Sequence, residues 1–325
     1  MSKSVKWDAK ARMVQQMVFD RVYRSRQVNS FEPVMESMDR RDGQGRRVIN
    51  DLQYGTVYPN SFLDLLYPQE AAGPLPVLLY LHGGGFLFGS KTSGDPLAAG
   101  HTAGNTFLEN VRSLGIAVAN ADYALAPDYR YPAALEQVNE ALAFLSEQAE
   151  SYGLDPNRII LGGGSAGAIL TEIFGLVLKD PAYAAEIGIR PQVRPEQVIG
   201  LIIDEAPLCI REYHNDDMDT MLGCWLGEED LQHAPVTALL DVPEHLTAYY
   251  PSFVSASNVQ HFFPDAADKL IRVLEAKGIP YVYDYPDPLL GAYDHGYLSA
   301  DPSDPVVAGG LRRLREFLRT ICNMA

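Results

Sequence analysis

The 325-residue chain has little cysteine, no long apolar run and few basic residues. Its three cysteines, Cys209, Cys224 and Cys322, form neither a CxxC pair nor a zinc-ligand spacing. So sparse and odd a set builds no disulfide framework, and a reducing compartment, the cytoplasm, is expected. No stretch reaches the roughly 18 consecutive apolar residues of a membrane-spanning helix. The opening, MSKSVKWDAKARMVQQMVFD, is polar and charged and lacks the apolar centre of a secretory signal. Stable membrane insertion is therefore not expected. Lys and Arg number 26 against 42 Asp and Glu, a formal charge of -16. Such a surface repels phosphate backbones, and no Lys/Arg cluster offsets it, so nucleic acid is not an expected partner. The charge does not identify a cationic substrate, because a solvated acidic surface accounts for it. Tandem repeats and low-complexity linkers are also missing, which argues against a solenoid or a string of tethered modules.

Hydrophobic residues make up 47% of the chain, enough to fill a sizeable core. Residues 8–28 read as an amphipathic helix with Met13 and Met17 on one side. The stretch DRRDGQGRR (39–47) reads as a turn-rich break, VINDLQYGTVY (48–58) as one or two strands and SFLDLLYP (61–68) as another. PVLLYLHGG ends an apolar run abruptly in glycines, as suits a strand covered on both faces. Helices then alternate with strands. Helices are predicted over 95–113, 133–150, 165–180, 264–278 and about 305–322. Strands are predicted over 115–123, 158–164, 198–204, 251–257 and 280–285. Strands separated by helices of this length imply βαβ units and a mainly parallel sheet. Residues 207–250 interrupt the alternation. One α/β domain over 1–325 is expected, with a cap contributed by about 1–45 and 207–250.

The strand-to-helix junction at 158–180 carries Gly163-Gly164-Ser165-Ala166-Gly167, a GxSxG sequence in the context that gives it meaning. A sharp turn there forces the serine into a strained conformation that small neighbours tolerate. Its hydroxyl would project above the strand end, with a helix N-terminus facing developing negative charge. A phosphate-binding loop is the competing reading, but the Walker lysine is missing. Ser165 is therefore the candidate nucleophile. His82-Gly83-Gly84-Gly85 follows the earlier strand. Glycines there let main-chain N–H groups approach a reacting centre, so Gly84, Gly85 and Ala166 are the candidate oxyanion donors. His82 is expected to hold the loop through its ring.

These motifs, with DYALAPDYRYPAAL (122–135) and a late D-H-G segment, resemble the hormone-sensitive-lipase-like carboxylesterases. The resemblance spans about residues 75–300, with Ala124 where that family usually has arginine. It implies an α/β-hydrolase fold with an eight-stranded, mostly parallel sheet flanked by helices, a helical cap, no cofactor and no metal. It also implies hydrolysis of carboxylic esters. Members of that family often form dimers, so a homodimer is one state it implies.

The base should come from a distant segment. Of seven histidines, His295 sits in YDHGY, after the last predicted strand and before the final helix, in the order nucleophile, acid, histidine. The acid is where the pattern breaks. The family's acid follows the strand before the last, yet the segment here, SASNVQHFFPDAAD, puts Gln260 or His261 at that position. Asp265 matches the motif's second aspartate but also reads as a helix cap. The strand VIGLII ends instead in Asp204-Glu205. Asp204 is the first choice for the acid, with Asp265 and Glu205 as alternatives. The expected activity is that of a serine carboxylesterase acting on a small-molecule ester with a short- or medium-chain acyl group. Phe86, Phe88, Trp225, Tyr249 and Tyr250 are open to either a pocket or a core role. The competing class is a noncatalytic or weakly active binding protein on a hydrolase scaffold.

Overall fold

The apolar runs become the buried centre of one sheet in a computed structural model that describes residues 5–23, 27–70, 73–92, 94, 106–206, 210–211, 215–259 and 266–324. Among these residues the strands are β1 (Asp39–Arg41), β2 (Arg47–Gln53), β3 (Phe62–Leu66), β4 (Leu75–Leu81), β5 (Ala117–Ala121), β6 (Leu154–Gly164), β7 (Val198–Asp204), β8 (Ser252–Ser255) and β9 (Tyr281–Asp284). The helices are α1 (Asp8–Val18), α2 (Thr106–Arg112), α3 (Ala133–Glu147), α4 (Ala149–Tyr152), α5 (Ala166–Lys179), α6 (Pro181–Ile187), α7 (Asp216–Leu226), α8 (Pro235–Leu240), α9 (Val242–His245), α10 (Ala266–Ala276) and α11 (Pro305–Ile321). The sheet order is β1-β2-β3-β5-β4-β6-β7-β8-β9. The pairs β1–β2, β2–β3 and β3–β5 are antiparallel, and the rest are parallel. This is the α/β-hydrolase architecture.

Every residue of β4 and β5 is buried, because successive side chains point to opposite faces and helices cover both. Val77, Leu79 and Leu81 of β4 pack with α3 and α5, while Leu78 and Tyr80 pack with α2 and α11. Helix α11 starts sharply. Pro305 occupies its first turn, and the Asp304 carboxylate accepts the N–H groups of Val306 and Val307.

The structure departs from the sequence reading in several places. The turn-rich stretch 39–47 is a hairpin, with β1 pairing Asp39 to Ile49 and Arg41 to Arg47. The Asp42 carboxylate closes it by accepting the N–H groups of Gln44 and Arg46. This hairpin makes nine strands among the described residues, one more than the resemblance implies, and draws Asp39–Arg41 into the sheet. The first helix ends at Val18 and passes into a π-helical turn, Phe19–Tyr23. The helix expected over 95–113 is helical over Thr106–Arg112, and residues 95–105 lie outside the described set. No helix among the described residues is long and apolar enough to cross a membrane.

The two segments read from the sequence as a cap meet each other. Trp7 fills the space beside Gly223 of α7, and Lys10 of α1 lies 2.5 Å from the Asp216 carboxylate. Helix α7 is delimited by its own ends. Asn215 accepts the N–H groups of Asp217 and Met218, and Gly227 closes it in the left-handed region at φ 73°.

Candidate active site

Ser165 joins β6 directly to α5 with φ 53° and ψ -114°, a conformation that disfavours any residue with a side chain. The surroundings hold it there. Its N–H donates to the Asp204 main-chain oxygen at 2.8 Å, and its carbonyl accepts the Ile169 N–H at 3.0 Å. The flanking glycines have steric causes. A side-chain carbon on Gly163 would overlap the Gly167 carbonyl, and one on Gly167 would overlap the Leu81 carbonyl. The spacing of two glycines around the serine is therefore the spacing at which helix and strand backbones touch. Ala166 is the first residue of α5, so its N–H has no partner within the helix and carries the positive end of the helix dipole.

The glycine loop lies beside this turn, because β4 is the parallel neighbour of β6. Gly84 has φ 107° and Gly85 has φ 58°. The Gly84 carbonyl accepts the N–H groups of Leu87 and Phe88, which folds the loop back on itself. Among the described residues, no main-chain oxygen accepts the N–H of Gly84 or Gly85. His82 is buried, stacks on Tyr123 at 4.3 Å and places Nδ1 2.7 Å from the Gly83 oxygen. Those contacts make it part of the loop's support. Beyond the loop, Lys91 is buried with Nζ 2.7 Å from Asp64 and 3.2 Å from Asp51. Its N–H donates to Asp122 at 2.6 Å. Removing one partner of such a buried ion cluster typically costs about 3–5 kcal/mol, so the loop is pinned at both ends.

His295 lies in the loop between β9 and α11, with its side chain 15% exposed. Its Nδ1 is 2.6 Å from Oε2 of Glu205, whose side chain is 2% exposed. The two atoms meet at this distance without forming an aligned hydrogen bond, and the contact becomes an ion pair when the imidazole is protonated. Such contacts often tighten only when substrate binds. Glu205 follows β7 with φ 58°, its N–H bonded to Ser255 oxygen at 3.0 Å. That turn separates the fates of the two adjacent carboxylates. The Asp204 side chain is buried and accepts the Ser255 hydroxyl, its neighbour on β8. Burial first, and then the Glu205 charge, push the Asp204 carboxyl up to about 7. The geometry therefore brings Glu205 to the histidine, whereas Asp204, the first choice from sequence, is turned to Ser255. Asp265, like Gln260 and His261, lies outside the described residues. Asp294 accepts the N–H of His295 at 2.7 Å and so serves the loop turn.

Sequence reasoning missed the residues that carry the histidine loop. Asn258 accepts the N–H of Tyr293 at 2.7 Å and donates to Gly291 oxygen at 2.8 Å. Tyr297 donates to the Asp284 carboxylate, which Arg313 of α11 also contacts. These partners are 33, 35, 13 and 29 positions apart, so no local spacing announces them. Among the aromatics, Trp225 stacks on Phe86 beside the glycine loop. Tyr249 and Tyr250 turn elsewhere, donating to Glu172 and Pro195 oxygens.

A serine held at positive φ between a parallel strand and a helix, with a glycine loop on the next strand, defines an α/β-hydrolase of the esterase–lipase families. Within that class, a model of the BD-FAE family matches residues 63–253, more than half of the chain, and the chain belongs to that family. Carboxylesterase NlhH of Mycobacterium tuberculosis is 33% identical over 114 residues, 35% of this chain and 33% of that protein. An acetyl esterase of Salmonella schwarzengrund is 35% identical over 125 residues, 38% of this chain and 35% of that protein. The aligned part of the chain thus spans about a third of the length of these curated relatives. Among solved structures, esterase B of Lactobacillus rhamnosis superposes with a TM-score of 0.74 at 16% identity, covering 97% of this chain and 95% of that one. That likeness is one of fold.

Proposed function

We propose that the protein is a serine carboxylic-ester hydrolase of the hormone-sensitive-lipase-like type, with Ser165 as nucleophile, His295 as base and Glu205 as the acid. The observation that carries this reading is the 2.6 Å contact between Glu205 and Nδ1 of His295, one residue along from the carbonyl that binds the Ser165 N–H. In the mechanism, Nε2 of His295 takes the Ser165 proton as Oγ attacks the ester carbonyl carbon. The carbonyl π pair moves to oxygen, where the N–H groups of Gly84, Gly85 and Ala166 receive the negative charge; one such donor is worth about 3 kcal/mol. Glu205 stabilises the imidazolium that forms. The C–O bond to the alcohol then breaks, and His295 protonates the leaving oxygen. Water repeats the cycle on the acyl-enzyme and releases the carboxylic acid.

Helices α1 and α7 form a cap over the loop in this reading. The substrate is a small-molecule ester with a short- or medium-chain acyl group, in keeping with the names of the acetyl esterase and carboxylesterase relatives. The test combines p-nitrophenyl acetate and butanoate turnover with fluorophosphonate labelling. Stoichiometric labelling that is lost in Ser165→Ala, together with ester turnover, is expected. An unlabelled Ser165 and no turnover would overturn the reading.

A further inference from the structure

Neighbouring strand ends carry three buried carboxyl groups. Asp204 ends β7, Asp284 ends β9, and Ser255 of β8 pairs in register with both. Glu205 follows Asp204 directly, and Asp204, Glu205 and Asp284 are all buried. Three negative charges gathered in a low-dielectric interior repel one another, so each carboxyl needs a positive partner or a proton.

The positive partners are unevenly shared. Asp284 has Arg313 of α11 and the Tyr297 hydroxyl. Glu205 has Nδ1 of His295 at 2.6 Å. Among the described residues Asp204 makes no ion pair, and the donor it meets is the neutral Ser255 hydroxyl. From β4, the Tyr80 hydroxyl reaches the same place. A side-chain carbon on Gly164 would lie 3.0 Å from it and 3.7 Å from Oδ2 of Asp204. Of the three carboxyls, Asp204 is therefore the one placed to keep a proton. Its rise to about 7, caused first by burial and then by the Glu205 charge, agrees with that placement.

Short bonds tie this proton site to the reacting groups. The Asp204 carbonyl accepts the Ser165 N–H at 2.8 Å, and the Ser255 carbonyl accepts the Glu205 N–H at 3.0 Å. Ser255 thus holds both neighbouring acids, one through its hydroxyl and the other through its carbonyl. A charge on His295 favours the ionised form of Asp204, and by reciprocity an ionised Asp204 favours the imidazolium. We propose that Asp204 is a positioning residue that tunes His295: with its proton on, the imidazole faces the Glu205 charge alone, and with its proton off, a second negative charge keeps the imidazole protonated to higher pH. The protonated ring cannot take the Ser165 proton, so the ionisation of Asp204 delays the onset of activity as pH rises. This rests on the serine-esterase reading above, with Glu205 as the acid.

The experiment measures kcat/KM for p-nitrophenyl acetate from about pH 5 to 9 in wild type, Asp204→Asn and Ser255→Ala, with an NMR titration of the His295 ring in each. Asp204→Asn keeps an acceptor for Ser255 and removes the charge. The midpoint of its acid limb should fall by about half a unit or more, a gain of about threefold at the foot of the limb relative to the plateau. The Ser255 hydroxyl favours the ionised Asp204, so Ser255→Ala should move the limb the same way by less, although the carboxyl is still there. The His295 midpoint should follow in both variants. Limbs and His295 midpoints that stay put, or that move upwards, overturn the proposal. If Ser165 is labelled and esters turn over, that result counts against Asp204 alone. A loss of about 10⁴-fold at every pH in Asp204→Asn would instead make Asp204 the acid, and the proposed triad and this inference would fail together. If wild type is neither labelled nor active, the esterase reading fails and this inference falls with it.

Discussion

The β4–β6 half of the site is made of backbone, whereas the β7–β9 half is made of side chains. On the first half, the Ser165 turn, its glycines and the 83–85 loop are defined by main-chain conformation and close backbone approach. On the second, a carboxylate at the end of β7 meets a histidine from the β9–α11 loop, and both depend on partners far along the chain. The first half is rigid by sterics: any added carbon at Gly163 or Gly167 collides with main chain. The second is held by a few long-range hydrogen bonds, and the carboxylate that meets the histidine comes from a different strand end than the one the resemblance implies.

Substitutions in the two halves should therefore fail in different ways. The largest effect is expected on the side-chain half. Glu205→Gln should lower kcat by about 10⁴-fold, as loss of an orienting acid does, while Asp204→Asn loses less than about tenfold. Steady-state kinetics on p-nitrophenyl butanoate distinguish them, and the reverse order would return the acid to Asp204.

Asp204 has a stability signature of its own. Its carboxyl is raised from 3.8 to about 7 in the fold, so the folded chain holds a proton there that the unfolded chain has released. The sign follows directly: this group's contribution is full below about pH 4, declines as pH rises towards 7 and is absent above. By linkage the decline is worth up to a few kcal/mol. Urea unfolding at pH 5 and pH 8 should show a smaller alkaline loss in Asp204→Asn than in wild type. An equal loss in both would reject the raised carboxyl.

The backbone half is probed by Gly167→Ala, which should cost about 2 kcal/mol or more of stability through overlap with Leu81 oxygen. Gly43, with open space around it, is the control. Thermal melts that leave Gly167→Ala level with Gly43→Ala would break the steric account. The smallest effect is expected at Asn258, whose side chain bonds the histidine loop at Tyr293 and Gly291. Asn258→Ala should reduce kcat by about tenfold with KM little changed. A loss confined to KM would assign it a different role.

This contrast also explains what the sequence could and could not convey. The GGGSAG turn is readable because its glycines fall in one short motif, although part of the crowding that requires them comes from Leu81 on β4, and the βαβ order is readable because apolar periodicity is local. The choice between Asp204 and Glu205 is not, because it depends on the Glu205 backbone at φ 58° and on Ser255 of β8 taking the Asp204 carboxylate. Likewise DGQG was read as a break, although the Asp42 side chain closes a hairpin there. Asn258 carries no motif at all. Its importance comes from what stands opposite it after folding.

The contact between His295 and Glu205 can be observed most directly by proton NMR of the Nδ1–H in an enzyme trapped with a boronate at Ser165. A strongly downfield one-proton signal is expected that disappears in His295→Ala, shifts or vanishes in Glu205→Gln and persists in Asp204→Asn. A signal that survives Glu205→Gln and is lost in Asp204→Asn would contradict the assignment.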